Sequence, residues 1–371
     1  MLLSTVITAP ALANKDGCKF SGQVKQVGRA QSACVMINGK LTFFSYPKRA
    51  ITALSEYEKT KLKAYNEIKK LSTKSVSKNI SLKYKTSKFL TPSLEKYYVA
   101  QHEQASSFYE QFIKTPLTVN VYLLTERDKE FIKSDPIFNK RDSYKVFDRW
   151  FIDWSQGRGQ ENNLGYTAYF LEHAGVKAGH TGVVTYSKAT KQTQRLYAQQ
   201  VIAHEYFHVI QDFNKQKRDA LGYESREQFE LYYIPIFREG LANTVATGIA
   251  MENFEDYLLW YQVFLTEKKG EFSQAIFKEI STKQKTISVL KKIQTASGDV
   301  DAREASYSVG SLIFEWVIAT YGIEVVKKLI FNQEVGNSFE DNLKLSTGLS
   351  LNQLYERASS HVLAGFTQAF R

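Results

Sequence analysis

The chain has 371 residues, a formal net charge of +11, and 43% hydrophobic and 13% aromatic residues. That apolar content is enough to bury one large core or two smaller ones, which excludes a disordered chain. No uninterrupted apolar run reaches the ~18 residues of a membrane-crossing helix, and no nucleic-acid motif accompanies the basic charge.

The opening MLLSTVITAPALA is apolar and ends in Ala11-Leu12-Ala13, a small-x-small pattern. It reads as the end of an export signal over residues 1–13, cleaved after Ala13; the plainer alternative is a frayed apolar terminus. The chain has two cysteines, Cys18 and Cys34. In an exported protein, periplasmic or secreted, such neighbours pair, whereas a cytosolic chain keeps free thiols. The bridge would staple a small β unit over residues 14–50. Its hairpin turns at Asn38-Gly39, between Ala33–Ile37 and Leu41–Phe44.

Residues 51–78 read as a basic helix, from about Ala53 to Leu71, followed by the linker STKSVSKN. Lys59, Lys61, Lys63, Lys69, Lys70, Lys74, Lys78, Lys83, Lys85 and Lys88 face few acids. A run of this kind is ordinarily a solvated face; the sharper reading is weak contact of segment 59–88 with an anionic surface or polymer. The main domain is expected over residues 79–371. SLKYKTSKF alternates as a strand does. Thr91 as cap and Pro92 in the first turn start a helix running to about Ile113. Leu117, Val119, Val121 and Leu123 alternate along the next strand, and a helix follows from Glu126. Trp150, Phe151 and Trp154 form an aromatic cluster read as core, and residues 156–165 a polar loop. Tyr166–Leu171 and Thr181–Tyr186 are two further strands. His180, beside them in AGHTG, is read as an exposed loop histidine.

The stretch YAQQVIAHEYFHVIQDFN, Tyr197 to Asn214, carries the strongest signal. A helix advances about 100° per residue, so His204 and His208 lie one above the other and can grip one metal ion. Glu205 stands beside them as a base for a metal-bound water, the zinc-protease pattern. Two core histidines bonded to backbone carbonyls are the bland alternative. A catalytic zinc wants a third protein ligand and an open position. IPIFREGLANTVATGIA offers Glu239 on a second helix, begun by Pro235, with Asn243 one turn further on.

HEYFH followed downstream by REGLAN resembles the gluzincin metallopeptidases, and within them the peptidase MA-like group. The resemblance covers roughly Ile80 to the C-terminus and is carried by those two motifs. It implies one zinc per chain on His204, His208 and Glu239, with Glu205 as general base and Asn243 bracing His204. It implies an α+β class: a zincin-like catalytic domain with an α+β N-terminal half and a helical C-terminal half, preceded here by the small β-rich unit. The strand, long helix, strand, short helix order from Ile80 matches how that domain begins. In that family an edge strand just before the metal helix binds extended peptide by strand addition.

After Glu239 the chain reads helical. Glu252–Glu267 carries the aromatic string YLLWYQVFL, read as helix packing. Ser281–Arg303 is polar and basic, with a turn at Ser297-Gly298-Asp299. Tyr307 begins an apolar helix reaching Tyr321 and holding Glu315. In relatives a Tyr or His here faces the zinc, so the resemblance makes Tyr307 a donor to the tetrahedral intermediate; a plain core tyrosine is the alternative. The expected reaction is hydrolysis of a peptide or protein substrate by metal-activated water, with Glu205 moving the proton. Two readings of other classes stand beside it: a zinc protein that binds a partner or polyanion and cleaves nothing, and a metal-dependent hydrolase of a non-peptide amide. No GxSxG nucleophile motif competes.

Overall fold

The computed structural model describes residues 18, 22–27, 30–37, 40–46, 50–71, 79–134, 165–173, 176–185, 198–219, 234–267, 274–295, 300–331 and 338–370. The expected leader, the Asn38-Gly39 turn, the linker after Leu71, the Trp150–Trp154 cluster, nearly all of the 156–165 loop and the Ser297–Asp299 turn lie outside the described residues.

Three antiparallel strands come first: β1 (Val24–Val27), β2 (Ala30–Ile37) and β3 (Lys40–Phe44), in that order across a small sheet. Cys18 and Cys34 are disulfide-bonded, with Cα atoms 5.6 Å apart. A bond of this kind persists in oxidising compartments. The unit is not separate from the rest. Ala33 and Val35 of β2 join the main apolar core, and the Tyr46 hydroxyl donates to Gln262 Oε1 at 3.4 Å.

Helix α1 (Glu56–Leu71) opens with a reciprocal cap. The Glu58 amide donates to Ser55 Oγ, and the Ser55 amide donates to Glu58 Oε2. Its acids at the start and lysines at the end also suit the helix dipole. Ala64, Tyr65, Ile68 and Leu71 recur at helical spacing and are buried in the main core. The expectation of a wholly solvated basic face fails at Lys61. Its ammonium is buried and lies 2.8 and 2.9 Å from the two carboxylate oxygens of Glu315.

The second sheet combines β4 (Ile80–Thr86), β5 (Leu117–Thr125), β6 (Gly165–His173) and β7 (Val176–Thr185) in the order β4-β5-β7-β6. β4, β5 and β7 run parallel; β6 pairs antiparallel with β7 at the edge. Val119, Val121, Tyr122, Leu123 and Leu124 of β5 are all buried, as both faces of a central parallel strand must be. Between β4 and β5 runs α2 (Pro92–Tyr109), capped by Thr91 backbone with Pro92 in its first turn, and extended by a 3₁₀ turn, Glu110–Phe112. A short α3 (Lys129–Ser134) follows β5.

The rest of the described chain is helical: α4 (Ala198–Asp219), α5 (Pro235–Ala250), α6 (Phe254–Glu267), α7 (Gln274–Glu279), α8 (Lys283–Thr295), α9 (Val300–Tyr321), α10 (Glu324–Phe331), α11 (Phe339–Thr347) and α12 (Leu351–Phe370). This is a mixed α+β architecture. Helix α5 is buried on every side from Ile236 to Ala250 apart from half-exposed Arg238, because apolar and small residues cover its whole circumference. It packs on α4 and α9 and also touches α1, α2, α6 and α8. The aromatic string of α6 packs inward through Tyr257, Trp260 and Tyr261, as expected. Among the described residues no single helix is long and apolar enough to cross a membrane.

Candidate metal centre

Helix α4 is pinned from two sides, by the sheet and by α2 with its 3₁₀ extension. Its Val209 side chain sits against Gly179 of β7 so closely that a Cβ there would clash. From α2, the Tyr109 hydroxyl donates to the Ala203 carbonyl at 2.9 Å, and its ring stacks on Tyr206 with centroids 5.8 Å apart. Phe207 meets Tyr109 and Phe112 edge-on. These contacts hold the apolar faces of the helix against sheet and α2, and direct the stripe of Gln200, His204, His208 and Gln211 toward α5.

There the two expected imidazoles meet the expected carboxylate. His204 Nε2 and His208 Nε2 are 3.0 Å apart, His208 Nε2 lies 3.0 Å from Glu239 Oε2, and His204 Nε2 lies 3.3 Å from it. All three residues are buried. Two ligand atoms on a tetrahedral cation at about 2.0–2.1 Å are about 3.3 Å apart, a spacing these separations fit. Three acceptors facing one another at this range repel unless a cation or shared protons lie between them. The group can therefore hold one metal ion. Two imidazoles and a carboxylate form a donor set suited to zinc and other late divalent metals.

The acid groups divide in character. Burial works to raise the Glu239 carboxyl, but the two imidazoles beside it, His208 foremost, outweigh burial and hold the group well below the usual carboxylate range. Glu239 is thus ionised and ready to ligate. Glu205, one residue along α4 from His204, is pushed up to about 7, chiefly by burial; His204 pulls it down, Glu239 pushes it up and Arg238 pulls it down. A carboxylate poised there exchanges protons near neutral pH.

Tyr307 of α9 reaches the same place. Its ring lies 6.0 Å from that of His204, centroid to centroid, nearly parallel and half-exposed. His180 lies on β7 rather than in a loop, paired with Tyr169 of β6 and Asn120 of β5. Within AGHTG, Gly179 is where the Val209 side chain of α4 comes up against the strand.

The brace expected from Asn243 on His204 is not made. Asn243 Oδ1 accepts from Gln200 Nε2 at 2.9 Å, and its Nδ2 donates to the Tyr307 carbonyl at 3.3 Å. Its side chain ties α4, α5 and α9 together instead. One turn after Glu239, it points between the helices because α9 crosses α5 closely there. The imidazole that is braced is His208, whose Nδ1 lies 2.7 Å from Gln211 Oε1. Sequence reasoning overlooked Gln211 and Gln200. The available signal was their spacing, i+3 from one histidine and i−4 from the other, on the stripe of an otherwise apolar helix.

Compared with protein-family models, with curated proteins and with solved structures, the chain matches none.

Proposed function

We propose that this protein is an exported zinc-dependent hydrolase of peptide bonds, built on a zincin-like domain of the gluzincin kind. The observation that carries the reading is the buried His204, His208 and Glu239 triangle, with Glu205 beside it on the same helix. A bound zinc ion would supply Lewis-acid polarisation of a water and a scissile carbonyl. His204, His208 and Glu239 would hold it. Glu205 takes the proton from the attacking water and returns it to the leaving amine, a task its raised pKa suits. The Tyr307 hydroxyl donates to the oxyanion as charge develops. Strand β6, antiparallel at the sheet edge and packed against α4, offers backbone groups to an extended substrate by strand addition. The Cys18–Cys34 bond supports an exported location.

A proteome-derived peptide library, digested with and without chelator, tests the reading. Cleavage should require metal. Glu205→Gln should keep the metal and lose hydrolysis, and His208→Ala should lose the metal itself. Metal-independent cleavage, or undiminished hydrolysis by Glu205→Gln, would overturn the mechanism.

A further inference from the structure

We propose that Gln211 is a positioning residue: it sets the tautomer of His208, its own amide being oriented by the helix that carries Glu239. The proposal rests on the metal reading above.

Gln211 is buried, one turn beyond His208 on α4. Its Nε2 lies 3.3 Å from the backbone carbonyl of Arg238, the residue before Glu239 on α5. A carbonyl oxygen can only accept, so the nitrogen end of the amide must face it. That orientation places Oε1 against His208 Nδ1, at 2.7 Å. Oε1 also only accepts, so Nδ1 must carry a proton. In the neutral ring the lone pair is then on Nε2, the atom that faces Glu239 Oε2 and His204 Nε2, each at 3.0 Å. A backbone carbonyl on one ligand helix thus dictates, through a single side chain, which nitrogen of the other helix's imidazole is free to ligate.

The test compares Gln211→Met, of similar length but without either polar atom, with Gln211→Glu, which keeps the acceptor toward His208 and loses the donor toward Arg238. Affinity for Zn²⁺ and Co²⁺ is read by competition with a chelating dye. Nitrogen NMR of the metal-free protein reads the His208 tautomer. The Met variant should lose about 10–100-fold in affinity and the single Nδ1–H tautomer; the Glu variant should stay within about threefold of the parent. A residue that merely fills space would give the opposite order, since Glu buries a carboxylate where Met buries a thioether. Parent-like affinity in Gln211→Met, or Gln211→Glu as weak as Gln211→Met, overturns the proposal. If the Met variant does not fold, retention of affinity by the Glu variant supports the proposal and its loss overturns it. A parent protein that binds neither ion would instead remove the metal reading itself.

Discussion

Gly240 and Gly310 lie backbone to backbone where the helix bearing Glu239 crosses the helix bearing Tyr307. A Cβ on Gly310 would meet the Ile236 carbonyl and the Gly240 Cα; one on Gly240 would meet the Gly310 backbone. Glycine is required at both positions by close approach. The crossing sets how near Tyr307 comes to His204 and Glu239. Gly310→Ala should therefore cost about 2–3 kcal/mol in urea unfolding and weaken metal binding, because backbone atoms cannot step aside. Gly365→Ala is the control: it meets side-chain ends of Leu312 and Tyr57, which can move, so it should cost less. Equal costs would argue against a rigid crossing.

The second expectation concerns the ion pair between α1 and α9. Glu315 is buried and accepts from Lys61, from the Tyr257 hydroxyl at 2.7 Å, and is 2.7 Å from His361 Nε2. Lys61 Nζ also stands 3.1 Å from the Tyr261 ring centroid. Burial lowers the Lys61 pKa to about 8, although Glu315 opposes the shift. Lys61→Met leaves a buried carboxylate without its cation and should destabilise by about 3–5 kcal/mol. Adding Glu315→Gln should return part of that loss. A double-mutant cycle with no coupling would contradict it.

Acid sensitivity follows from His102 on α2. Burial pushes its pKa down to about 3, and among the described residues neither ring nitrogen has a hydrogen-bond partner. In the unfolded chain the ring takes up a proton below about 6.5, so stability is full above that pH and falls as pH drops toward the folded value. The slope is about 1.4 kcal/mol per pH unit, or about 2 kcal/mol lost at pH 5. His361, also lowered chiefly by burial, adds in the same direction. Urea midpoints of chelated protein between pH 7.5 and 5 should show a shallower decline for His102→Phe than for the parent. Parallel slopes would refute the assignment.

Tyr307→Phe separates a catalytic phenol from a packing ring. Since the ring stacks near His204 and is half-exposed, removal of the hydroxyl should leave metal content unchanged and alter stability by less than about 1 kcal/mol. On a peptide cleaved by the parent, kcat should fall about 10²-fold if the hydroxyl holds the oxyanion. An unchanged kcat would make it a plain packing residue.

What could be read from the residues alone was whatever the helix repeat encodes. His204 and His208 share a face because four residues make slightly more than one turn, and that holds wherever the helix goes. Thr91-Pro92 marked a helix start, and the alternation around Leu117–Leu123 a strand, for equally local reasons. The Cys18–Cys34 pair was legible from there being no other cysteines to choose from. Periodicity says which side chains share a face, but not what that face meets. Lys61 was indistinguishable from its solvated neighbours until Glu315, 254 residues away, proved to lie opposite. Asn243 looked like a brace for His204, yet close packing of α9 on α5 turned it to Gln200 and the Tyr307 carbonyl. That Glu239 lies within 3.3 Å of both imidazoles, and that Gln211 holds one of them, depends on how two helices cross. Crossing is decided by the fit of whole surfaces, glycine against glycine and ring against ring, and no single stretch of chain carries that information.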